Sequence, residues 1–136
     1  MFTPVRTATA SIALDEHGLV CARIYPGATQ TVVNARENLR AAIELRRGVR
    51  RPILVDISGC EPLEPRVRRC YTGKNISTSF TAIAILVEGT SFGKMIANIY
   101  LQIASPGIPA KLFHDRLSAL AWLRAFVPAH VGAESS

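Results

Sequence analysis

ILVDISGCEPLEP, residues 53–65, is the stretch whose reading decides the fold. With Pro52 before it, the run PILVDI is short, nearly continuous in apolar side chains and rich in β-branched residues. A half-exposed strand alternates apolar and polar positions, whereas a strand covered on both faces does not. Residues 52–57 therefore read as a central strand of a largely parallel sheet. Ser58-Gly59-Cys60, Pro62 and Pro65 stop that strand and turn the chain. A short helix is predicted over 64–75, with Val67, Cys70 and Tyr71 facing inward.

Working outward, residues 7–14 (TATASIAL) and 18–25 (GLVCARIY) predict two strands joined at Asp15-Glu16-His17-Gly18, a hairpin turn in which Gly18 takes the positive φ. Val20, Ala22 and Ile24 share one face of the second strand, and Cys21, Arg23 and Tyr25 the other. From Thr31 to Arg47 the period changes. Val32, Ala35, Leu39, Ala42 and Ile43 recur at helical spacing, Thr31 supplies the N-cap and Gly48 the stop. FTAIAILV, residues 80–87, is a second buried strand. Phe92, Met95, Ile96, Ile99 and Ile103 mark a further helix that Pro106 and Pro109 end. Lys111–Phe113 is a last brief strand, and Asp115 caps a final helix with apolar positions at Leu117, Leu120, Ala121, Leu123 and Phe126.

Strands alternating with helices pair in parallel through right-handed crossovers. The predicted fold class is therefore α/β: a single mixed five-stranded sheet with an antiparallel N-terminal hairpin, its other strands mainly parallel, and about four helices. Residues 1–127 form one domain and 128–136 a flexible tail. Crossovers progressing in one direction set the helices on one face of the sheet. The other face then needs cover, and the hairpin carries few charges to protect it, so a homodimer is expected.

Composition narrows the function classes. No apolar run approaches a membrane span, and the N-terminus lacks the layout of a signal peptide, so the expected location is the cytoplasm. Cys21, Cys60 and Cys70 match no zinc or redox spacing and read as free, partly buried thiols. His17, His114 and His130 share no metal-ligand spacing, so no metal is expected. Neither GxxxxGK[ST] nor GxGxxG occurs, and no cofactor is expected. The net charge of +6 invites nucleic acid. However, Arg46, Arg47, Arg50 and Arg51 sit at a helix C-terminus, where the dipole favours cations, and no aromatic residues interleave with them. That distribution argues against a nucleic-acid partner. Asp56 stands at the carboxyl end of the central strand, where open α/β sheets place ligands, with Ser58 two residues on. Without a positioned His or Lys this is no activated nucleophile, and Asp56 is expected to accept hydrogen bonds from the loop amides.

Residues 53–65 resemble the STAS fold, the module of anti-sigma-factor antagonists and sulfate-transporter tails, and within it the SpoIIAA-like proteins. The family pattern is an apolar strand, Asp-Leu-Ser-Gly, and shortly afterwards Asp-Ser-Ser-Gly at a helix start. Val55-Asp56-Ile57-Ser58-Gly59 matches its first half. RRPILVDI and KLFHDRLSALAWLRAF carry the resemblance over residues 18–127. The serine that anti-sigma antagonists phosphorylate has no counterpart, because Leu63-Glu64-Pro65-Arg66 stands there. Glu64 could instead hold a permanent negative charge at that helix start. The resemblance implies a non-catalytic module that binds a protein partner through a loop comprising Asp56, Ser58, Gly59, Glu64 and Arg66. The alternative is a small apolar-ligand or lipid carrier built on the helix from Phe92 to Ile103, in the manner of the larger CRAL-TRIO domains.

Overall fold

The structure is a computed structural model that describes residues 3–71, 74–89 and 107–129. It contains β1 (Val5–Arg6), β2 (Ala10–Leu14), β3 (Val20–Ile24), α1 (Val32–Leu45) and β4 (Arg51–Asp56). There follow α2 (Pro65–Cys70), α3 (Lys74–Ser79), β5 (Phe80–Leu86), β6 (Ala110–Phe113) and a helix α4 (Arg116–Arg124). The strands form one sheet in the order β1-β2-β3-β4-β5-β6. β1, β2 and β3 pair antiparallel, and β3 through β6 pair parallel.

The sheet thus has six strands rather than five. The additional one, Val5–Arg6, is two residues long and exposed, and follows Pro4. Two residues are too few to show a period. The helix predicted over 64–75 forms as two short ones, α2 and α3. The predicted helix from Phe92 to Ile103 lies outside the described residues.

Residues paired across a ladder project to the same face, so the register sorts the core into two layers. Ile12, Ala22, Val55 and Ile85 are in register on the first face, where α1 and α3 cover them. Leu54, Ala84 and Leu86 point to the second face, against Ala119 and Leu123 of α4. Helices therefore occupy both faces, not one. α4 follows the last strand rather than linking two parallel ones, so the crossover argument does not constrain it. Of its predicted apolar positions, Leu123, Leu120 and Phe126 pack into this layer beside fully buried Ala119, whereas Leu117 is 80% exposed and Ala121 is exposed. Trp122 fills the flank between Phe113 and Phe126, with ring centroids 5.6 and 4.8 Å away.

Local chemistry fixes the ends of these elements. Thr31 Oγ1 accepts from the Asn34 amide at 3.1 Å while Asn34 Oδ1 accepts from the Thr31 amide at 2.9 Å, a reciprocal cap on α1. Arg47 (φ 53°) and Gly48 (φ 74°) end that helix in left-handed conformations. Pro52 sits inside β4, and the register with β5 shifts between Arg51 and Ile53, because Pro52 has no N–H to donate. Arg51 is buried, and its Nε donates to the Arg46 carbonyl at 2.9 Å. Arg50 Nη2 donates to the carbonyls of Ser77 (2.8 Å) and Phe80 (2.9 Å). These two arginines of the densest basic cluster hold backbone together.

Candidate functional site

Asp56 ends β4, and its side chain is nearly inaccessible. Oδ1 accepts from the Ser58 amide at 3.0 Å, closing the turn expected of an aspartate there. Oδ2 accepts from Arg116 Nη2 at 3.1 Å, at the first residue of α4. Ser58 Oγ in turn accepts from the Glu88 amide at 2.8 Å, tying the loop to the end of β5. Gly59 adopts φ +77°, its carbonyl accepts from Gly27, and a Cβ there would meet the Pro26 Cβ at 3.3 Å. The first three predicted site residues are therefore held tightly by backbone and by α4.

The remaining two are elsewhere. Glu64 is the exposed N-cap of α2 and makes no side-chain cap bond; Pro65 follows at the first helical position. Arg66 is also exposed. With Glu61, Pro62 and Pro65 they form an open rim, anchored by half-buried Leu63 and fully buried Val67. The five predicted residues thus divide into a pinned base and a free rim rather than one cluster.

Beneath the rim lies a cavity of about 100 Å³ between α1 and the first sheet face. Leu39, Val55, Ile57, Ile83 and Phe80 are among the residues that line it, with Cys60 and Leu63 from the loop. At one end is a polar network that the sequence did not single out. Asn38, buried in α1, donates through Nδ2 to Thr9 Oγ1 at 2.9 Å and to Gln30 Oε1 at 3.3 Å, and accepts from the Thr7 hydroxyl. The Tyr71 hydroxyl donates to the same Gln30 oxygen. Burial pushes the Tyr71 phenol up to about 12, an effect the Asn38 contact partly offsets. Asn38 falls between Ala35 and Ala42 on the apolar stripe of α1, and a polar residue in that phase was the available signal. For Arg116 there was none, because sixty residues separate it from Asp56.

Burial first, and then the Asp56 charge, push the Cys60 thiol up to about 11. Burial together with the Asp15 charge pushes Cys21 up to about 12. Both thiols are protonated at neutral pH, the opposite of an activated nucleophile. Among the described residues no three His, Cys, Asp or Glu side chains come close enough to hold a metal ion. None of the described helices is long and apolar enough to cross a membrane. His17 lies 3.5 Å from Glu16 in the exposed hairpin, and His114 Nδ1 is 3.4 Å from the Val87 carbonyl.

The solved structure of an uncharacterised protein of the DUF3478 family with a SpoIIAA-like fold, from Shewanella loihica PV-4, superposes on this chain with a TM-score of 0.51. The match covers 90% of this chain and 92% of that one at 18% identity, which bears on fold alone. No curated protein sequence matches the chain. A family model described as a domain of unknown function, DUF7793, matches residues 12–127. With its six-stranded sheet, its pinned Asp56 turn and its open rim, the chain belongs to the DUF7793 family and is built on a SpoIIAA-like fold.

Proposed function

We propose that this chain is a non-catalytic interaction or regulatory module that engages a protein partner in the cytoplasm through the rim from Glu61 to Arg66. The observation that supports this reading is the division of the loop. Asp56 and Ser58, the side chains best placed for chemistry, are engaged in holding the turn, while Glu61, Pro62, Glu64, Pro65 and Arg66 are open to solvent. A small-molecule enzyme would instead converge titratable groups on a polar pocket. The test is partner capture with wild type, Glu64→Arg and, as a control on the wet side of α1, Arg36→Glu. Charge reversal at Glu64 removes partners that the other two retain. Identical partner sets for all three remove the reading. Self-association belongs to the same proposal, since β1 is an edge strand among the described residues. Light scattering that shows a single-chain mass at every concentration excludes it.

The cavity favours a second reading, a carrier of a small apolar molecule. Its wall is mainly apolar, with Leu39, Val55, Ile57 and Ile83 among the lining residues and polar groups only at Gln30, Asn38, Glu61 and Tyr71, and apolar walls of that kind admit small apolar guests. Native mass spectrometry of protein prepared without detergent decides the matter, because a carrier retains a co-purifying ligand and a clean apo mass ends the idea.

A further inference from the structure

α4 packs chiefly on β4, β5 and β6 of the second face, and Cys21 of β3 joins that layer. The register sets a row of side chains across the same face, running from β1 to β4. Arg6 pairs with Ser11, Ser11 with Arg23, and Arg23 with Asp56. Paired residues share a face, so Arg6, Ser11, Arg23 and Asp56 stand side by side. Arg116 reaches the same end of the row from α4.

Small side chains, Ser11, Ala13 and Cys21, floor a depression there, and Arg6, Arg23, Arg116 and Tyr25 wall it. Its volume is about 470 Å³, within the range of small-molecule sites. No acidic side chain lines it among the described residues, and the one carboxylate in the row is already engaged by Arg116 and the Ser58 amide. Arg6 and Arg23 are exposed. They lie two strands apart, about 10 Å across the sheet. Arginine side chains are long enough for both guanidinium groups to meet a group seated above Ser11. Arg23 and Asp56 also lie near the carboxyl ends of the parallel strands β3 and β4, where such sheets place ligands.

We propose that this depression binds a phosphate-bearing ligand, held by Arg6 and Arg23 over Ser11 with Arg116 at its edge. Guanidinium forks match phosphate oxygens pairwise, and no acidic side chain lines the depression beside Arg6 and Arg23 among the described residues. The site is separate from the Glu61–Arg66 rim and goes beyond the interaction reading.

The test follows backbone amide resonances during titration with inorganic pyrophosphate at low ionic strength. A parallel arm uses phosphatidylcholine vesicles with and without phosphatidic acid. Shifts in wild type are expected at Ser11, Cys21 and Arg23, with little change on α1. Arg23→Gln and Arg6→Gln, both at exposed positions, each weaken binding about tenfold, the loss of one charge-assisted contact. Arg36→Gln leaves it unchanged. A response to pyrophosphate alone assigns a soluble ligand, and a response to phosphatidic acid vesicles through the same two arginines assigns a lipid headgroup. Absence of shifts in both arms overturns the site. So does a response spread over every arginine, or an affinity unaltered in both the Arg23 and Arg6 variants.

Discussion

Removing the Asp56 side chain is the most informative single perturbation of this fold. Asp56→Ala deletes two bonds, one to the Ser58 amide at 3.0 Å and one to Arg116 at 3.1 Å. The first is buried and charge-assisted, and bonds of that kind contribute about 1.5–3 kcal/mol. The second involves an arginine whose side chain is 42% exposed, so solvent screening reduces its share to about 0.5–1 kcal/mol. The alanine variant is expected to lose about 2–4 kcal/mol in all. Asp56→Asn keeps an oxygen facing the Ser58 amide and removes only the charge, so its loss is about 1 kcal/mol. Each kcal/mol corresponds to roughly 3–5 °C of Tm for a chain of this size. Urea unfolding followed by Trp122 fluorescence reads both, since that ring lies against Phe113 and Phe126 and reports on α4 directly. The cycle Asp56→Ala, Arg116→Ala and their combination isolates the pair, with an expected coupling of about 0.5–1 kcal/mol. Equal losses for alanine and asparagine would show that the turn bond contributes nothing, and the account of how the loop is pinned would be wrong.

Gly59→Ala forces a Cβ into a φ of +77° at 3.3 Å from Pro26. A destabilisation of about 1–2 kcal/mol is expected in the same urea assay, and an unchanged midpoint would contradict it. Cys60, raised from 9.0 to about 11, should react with iodoacetamide near pH 8 about a hundredfold more slowly than an unperturbed thiol, through its thiolate fraction alone. Peptide mapping of the alkylated protein measures this, and a rate matching a free thiol refutes it. Tyr71 is raised from 10.0 to about 12, so its contribution is complete below pH 10 and is lost as pH climbs toward 12. The loss is about 2–3 kcal/mol. Tyr71→Phe, which cannot ionise, should show a shallower alkaline decline in stability than wild type, and parallel declines would exclude the assignment.

The legible parts of this fold were those with strong local signals. PILVDI announced a strand buried on both faces, Thr31 announced a capped helix, and Asp15 to Gly18 announced a turn that forms with Gly18 at φ 86°. The Asx turn at Asp56 also followed from local chemistry. What escaped was set by tertiary contact. β1 is stabilised by pairing with Ile12 and Ser11 rather than by its own two residues. The side of the sheet that α4 covers depends on how Ala119 and Leu123 meet Leu54 and Leu86. Arg51 donates to the carbonyl of Arg46, the C-cap of α1, as expected of a cation at that helix end, whereas the bonds from Arg50 to the Ser77 and Phe80 carbonyls reach a distant segment, which neither composition nor spacing reveals. The expectation of a homodimer rested on helices gathering on one face, whereas α4 packs on the second face and Arg6 and Arg23 line a depression beside it.

The strand order has a consequence for how the molecule is made. Among the described residues every strand lies beside its predecessor in the chain, and none is threaded between two already placed. Each new pairing therefore closes only the segment separating neighbours, about thirty residues for each parallel pair, such as Val20 with Ile53 or Ile53 with Ile83, rather than a longer stretch of chain. A nascent chain can lay down β2 and β3 first and add β4, β5 and β6 in turn as they leave the ribosome, with no rearrangement of what has formed. Folding from the N-terminal side should therefore keep pace with synthesis. During that growth one sheet edge stays at the N-terminal strands while the other is always the latest strand, whose partner is the next one to be translated.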